Sequence, residues 1–66
     1  MELTISNVEN YKGYIVILFY YPNRLHQYAI LFKDRITFSP EGYYSPKSAY
    51  CAAEHTIDRI VNQSCF

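Results

Sequence analysis

The stretch Tyr14 to Tyr21, YIVILFYY, constrains this chain more than any other. Every residue in it is aromatic, β-branched or aliphatic, which makes it a strand. Both of its faces are apolar: Tyr14, Val16, Leu18 and Tyr20 point one way, and Ile15, Ile17, Phe19 and Tyr21 the other. An antiparallel strand with one wet side alternates apolar with polar residues. This strand therefore needs cover on both sides, and only 66 residues are available to supply it.

The run stops at Pro22-Asn23, where proline pre-sets a turn and asparagine tolerates its second corner. A second strand from about Leu25 to Phe32 then returns antiparallel. Pairing Tyr21 with Leu25 sets Leu18 against Tyr28, Val16 against Ile30 and Tyr14 against Phe32 on one side, with Ile17/Ala29 and Ile15/Leu31 on the other. Lys33-Asp34 supplies the next turn, although it lacks the glycine that tight hairpins favour. Arg35 to Phe38 follows as a short third strand whose alternation is that of an edge with one wet face. Ahead of Tyr11, Leu3-Thr4-Ile5 alternates but Ser6 to Asn10 shows no period, so residues 1–10 read as a lead-in or a short edge strand.

Ser39-Pro40-Glu41-Gly42 has proline and glycine where a type I turn wants them. Ser45 is placed to cap a helix whose first position is Pro46, and Tyr44 to staple against Ala49. At about 100° per residue, Ala49, Ala52, Ala53, Thr56, Ile57 and Ile60 share one face of a helix over 45–62, with Tyr50 and Val61 at its margin. Lys47, Cys51, Glu54, His55, Asp58 and Asn62 share the other. The alanines allow close approach to a sheet, while Ile57 and Ile60 lean into the core. Residues 63–66 form a tail.

A chain this short holds one domain and must pack densely to stay folded without metals or disulfides. Its 50% hydrophobic and 18% aromatic content meets that need and excludes disorder. Six acidic and six basic side chains cancel, so the electrostatic footprint of a nucleic-acid or anionic-membrane binder is missing. Cys51 and Cys65 do not form a framework spacing, and reduced thiols are the expectation. The chain opens on no basic segment leading into an apolar one, and Tyr14 to Tyr21 is too short to span a bilayer. A cytoplasmic location is expected.

No constellation of catalytic residues emerges. Cys51 and His55, one helical turn apart, are half of a metal site or a nucleophile and base, but neither further ligands nor an orienting acid accompany them. Glu54 and Asp58 read as an acidic solvated face, and two glycines cannot build a phosphate loop. No enzyme activity, cofactor or metal is expected. Tyrosines on an open sheet can stack single-stranded nucleic acid, and Tyr14, Tyr20 and Tyr28 are candidates, but the scattered and balanced charges argue against it.

The Tyr11-Lys12-Gly13-Tyr14 opening, a hairpin, and Tyr44-Ser45 leading into a helix with Ala49, Ala53 and Ile57-Asp58 resembles short bacterial and cyanobacterial ββ(β)α proteins of unknown function. The resemblance covers Tyr11 to Ile60 and implies a fold, with no catalytic residues attached to it. The sequence thus predicts one α+β domain, an antiparallel two- to three-stranded meander followed by one C-terminal helix packed on one face. One helix covers one face, so the other is left for self-association, as a homodimer, or for a protein partner. The candidate interaction surface is Tyr14, Val16, Leu18, Tyr20 and Tyr28.

Overall fold

The computed structural model describes residues 2–63. Four antiparallel strands form a meander in the order β1 (Thr4–Tyr11), β2 (Tyr14–Tyr20), β3 (Gln27–Phe32), β4 (Arg35–Phe38), and one helix, α1 (Pro46–Gln63), crosses the sheet. The α+β meander with a single helix is as the sequence predicts. The fourth strand comes from the segment that shows no period.

That segment is a strand with one residue too many. Ile5 pairs with Phe19 and Asn7 with Leu18, so Ser6 is left over as a β-bulge. Leaving Ser6 out, Leu3, Ile5, Val8 and Asn10 fall on one face and Thr4, Asn7, Glu9 and Tyr11 on the other. The period of two is present, interrupted once. β1 joins β2 through Lys12-Gly13, both in the left-handed region at φ 54° and 85°, the pairing of signs that a two-residue hairpin matched to strand twist requires.

Between β2 and β3 the predicted register holds: Leu18 faces Tyr28, Val16 faces Ile30 and Ile17 faces Ala29. Arg24 N–H closes the intervening turn on Tyr21 C=O at 3.0 Å, with Asn23 at φ 62°. Proline then left-handed asparagine is the type II pattern. Lys33-Asp34 turns β3 into β4, and Lys33 takes φ 57° where a glycine would be unstrained.

The crossing to the helix is held by backbone. His26 and Tyr43 exchange N–H···O=C bonds of 2.8 and 2.7 Å. This bridge brings Gly42 against Leu25, and a Cβ at residue 42 would stand 2.5 Å from that of Leu25. The Ser45 hydroxyl accepts from Ser48 N–H at 3.1 Å, as an N-cap does. Tyr44 is 91% exposed and makes no staple; Tyr43 packs on the core in its place, its ring stacked with that of Tyr28.

The core lies between the helix and one side of the sheet. Ala49, Ala53 and Ile57 sit on Val16, Leu18, Tyr28 and Ile30. Ala49, Ala53, Ile57 and Val16 are fully buried. Ile60 was expected in this set but is 37% exposed at the helix margin. Repeats of four from Ala49 reach Ala53, Ile57 and Val61, so the buried stripe drifts away from Ile60. Asp58, expected to be solvated, accepts from Lys12 and Tyr11.

Candidate functional site: the open face of the sheet

The five residues expected to form the interaction surface point toward the helix. Val16, Leu18 and Tyr28 are core residues. Tyr14 is stacked on Phe32 with ring centroids 4.2 Å apart, and Tyr20 meets the edge of His26 at 5.0 Å. Nor do Tyr14, Tyr20 and Tyr28 make an open stacking platform, because Tyr28 is only 2% exposed.

Tyrosine hydroxyls explain why the helix takes this side. A buried phenol needs a polar partner, and α1 offers two, Thr56 and Asp58. Thr56 donates its hydroxyl hydrogen to Ala52 C=O at 3.0 Å, leaving its oxygen to accept from Tyr28 OH at 3.1 Å. Tyr11 donates to both Asp58 oxygens at 3.0 and 3.2 Å. The reverse side of the sheet presents Ile15, Ile17 and Phe19, which need nothing from a helix but exclusion of water. The density of tyrosine thus marks the covered side.

That reverse side is the open face. By register it carries Leu3, Ile5, Val8 and Asn10 from the β1 edge, Ile15, Ile17 and Phe19 from β2, Gln27, Ala29 and Leu31 from β3, and Ile36 and Phe38 from β4. No strand position on it is charged. Ile5, Val8, Ile36 and Phe38 are each more than half exposed. A contiguous apolar patch of this kind on a small protein is a contact surface more often than not.

The face is a shallow hollow. Its floor is Ile17, Phe19 and Ala29, its walls are Leu3 and Ile5 on one side and Ile36 and Phe38 on the other, and it encloses about 530 Å³. Phe19 is nearly buried because Tyr21 and Phe38 each meet it edge to face, at 6.2 and 6.3 Å. The alternation of β4 predicts an edge strand with one wet face. Arg35 and Thr37 lie on the helix side, beside Phe32 and Ile30, while Ile36 and Phe38 stand on the open face.

The walls were hard to see in sequence for different reasons. Val8 was hidden by the bulge. Ile36 and Phe38 alternate plainly, but their side follows from where the helix lies, which is a tertiary outcome.

Among the described residues no three of His, Cys, Asp and Glu come together as a metal site. Cys51 is a free, exposed thiol on the outer face of α1, while Cys65 and any bridge to it lie outside the described residues. Among the described residues no helix is long and apolar enough to cross a membrane. At the β1 edge, Asn7 bonds Glu9 and its Oδ1 accepts from Val8 N–H at 3.0 Å.

No protein-family model, curated protein or solved structure matches this chain. The resemblance to short bacterial ββ(β)α proteins therefore rests on its motifs alone.

Proposed function

We propose that this protein is a small non-enzymatic interaction module that self-associates, two copies pairing through the open faces of their sheets. The observation that carries the reading is a four-stranded face with no charged strand position and apolar side chains standing more than half exposed at both of its edges. A charged partner finds nothing to pair with there. A second copy brings an equally apolar surface, and isologous pairing about a two-fold axis is the commonest form of soluble assembly.

The area is adequate, with little to spare. Four strands at about 4.8 Å spacing and about 20 Å in length give a flat footprint on the order of 400 Å². Side-chain relief raises the accessible area lost above that figure, toward the roughly 500 Å² per partner at which specific interfaces begin. An interface of this size belongs to the weak, transient end of specific contacts. The sheets would pack face to face about 10 Å apart, with helices outside.

A cytoplasmic setting is part of this reading, supported by the two cysteines not forming a framework spacing. Membership among the short bacterial and cyanobacterial ββ(β)α proteins remains a proposal on the same footing.

Sedimentation velocity from about 1 to 200 μM tests the central claim, over the range set by the estimated area. A reversible monomer–dimer equilibrium is expected, and Ile36→Lys, which places a charge on an exposed wall, is expected to weaken it at least about tenfold. A monomer throughout that range would overturn the reading.

A further inference from the structure

A second concavity lies on the helix side of the sheet and has nothing to do with the open face. The helix contacts β1, β2 and β3 but leaves β4 uncovered, so a cleft of about 360 Å³ remains between β4 and the last turns of α1. Its floor is aromatic: Tyr14 and Phe32 stack on each other, 4.2 Å between centroids and 21° between planes, and so turn their ring edges to the cleft, with buried Ile30 beside them. Ile60 forms the far wall, which accounts for the partial exposure of that isoleucine at the helix margin.

The rim is charged. Lys33 and Arg35 flank Asp34, giving two cations against one anion at the mouth. The ion pair between Lys12 and Asp58 is elsewhere, and among the described residues neither Arg35 nor Lys33 has a carboxylate partner. The Lys33 ammonium sits over the Phe32 ring at 5.4 Å, at the edge of the aromatic floor. The two-residue hairpin, in which Phe32 pairs with Arg35, sets both residues at the same end of the cleft.

We propose that this cleft binds a small organic anion with a flat apolar body, of the aryl carboxylate class. The volume falls in the range of small-ligand sites, which combine apolar walls with a few placed polar groups. The ring edges of Tyr14 and Phe32 meet the face of an aromatic ligand in an edge-to-face contact, and the Arg35 guanidinium is built to take a carboxylate through two parallel N–H donors. An uncharged aryl compound would gain the floor and lose the rim. A dianion would meet Asp34 as well.

Amide-resolved NMR titration of the full chain with 2-naphthoate, and in parallel with neutral 2-naphthamide, tests this. Saturable shifts are expected at Ile30, Phe32, Arg35 and Thr37 with half-saturation at or below about 1 mM for the carboxylate, and affinity at least about tenfold weaker for the amide. Arg35→Ala should weaken the carboxylate by a similar factor with an otherwise unchanged spectrum, Lys33→Gln by less, and Arg24→Ala not at all. Equal affinity for the two probes, or no saturable shift in the cleft, would overturn the proposal. So would shifts centred on Ile17 and Ala29, which report adsorption on the opposite face of the sheet.

Discussion

The Lys12 ammonium lies 2.7 Å from a carboxylate oxygen of Asp58, tying the first hairpin turn to the helix across 46 positions of sequence. Tyr11 completes the tie from the same turn. The hydrogen bonds from Lys12 and Tyr11 hold the Asp58 carboxyl below its ordinary 3.8, and the bond to Asp58 raises both Tyr11 and Lys12 above theirs, 10.0 and 10.5. Asp58 thus binds protons less readily folded than unfolded, so its contribution is present above about pH 4 and lost as pH falls through its folded value. Tyr11 and Lys12 hold their protons more tightly when folded, so their share is present below pH 10 and lost as pH rises beyond. The side chains of Lys12 and Asp58 are 49% and 40% exposed, and solvent keeps the effect of their pairing modest. In thermal melts against pH, Asp58→Asn is expected to lose this part of the acid-side slope. An unchanged slope would show the tie to be energetically idle.

Ile57 is fully buried against the sheet. Ile57→Ala should cost roughly 2 to 5 kcal/mol, which for a domain of this size approaches its whole stability. Ala53→Leu, at a site with no free volume, should cost about 1 to 3 kcal/mol by overpacking. Urea denaturation measures both, and a near-neutral Ala53→Leu would mean that the helix can lift off the sheet.

Asn23 at φ 62° occupies the corner of the Pro22 turn that side chains other than asparagine and glycine resist. Asn23→Ala should destabilise by about 1 kcal/mol while Asn23→Gly stays within about 0.5 kcal/mol of the parent. Equal effects in urea melts would locate the strain elsewhere.

Deleting Ser6 is expected to be tolerated. The bulge closes, Ile5 still meets Phe19, and Leu3, Ile5 and Val8 keep their face. Deleting Glu9 instead throws Val8 to the helix side and should cost on the order of 0.5 to 3 kcal/mol. The two deletions, compared by urea melts and amide exchange, should differ clearly. Equal losses would contradict the assigned phase.

What could be read from sequence was what is decided locally. The β2–β3 register followed from a turn of fixed length between two apolar runs, and the Ser45 cap from Pro46 directly after it. What could not be read was decided at a distance. Helix periodicity defines a buried stripe but not which side of the sheet receives it. That choice turns on Thr56 and Asp58 meeting the hydroxyls of Tyr28 and Tyr11. The full length of β1, beyond the short edge strand that Leu3 to Ile5 suggests, was masked by a single inserted residue, and with it part of one wall of the open face.

The bulge also bears on how large an assembly can grow. Sheets that add strands at their edges have no natural stopping point. Here β1 is kinked at Ser6 with Asn7 occupying Val8 N–H, and β4 is only four residues long. Both margins are poor templates for further strands, so the face-to-face pairing we propose would close at two copies and would not extend into a fibre.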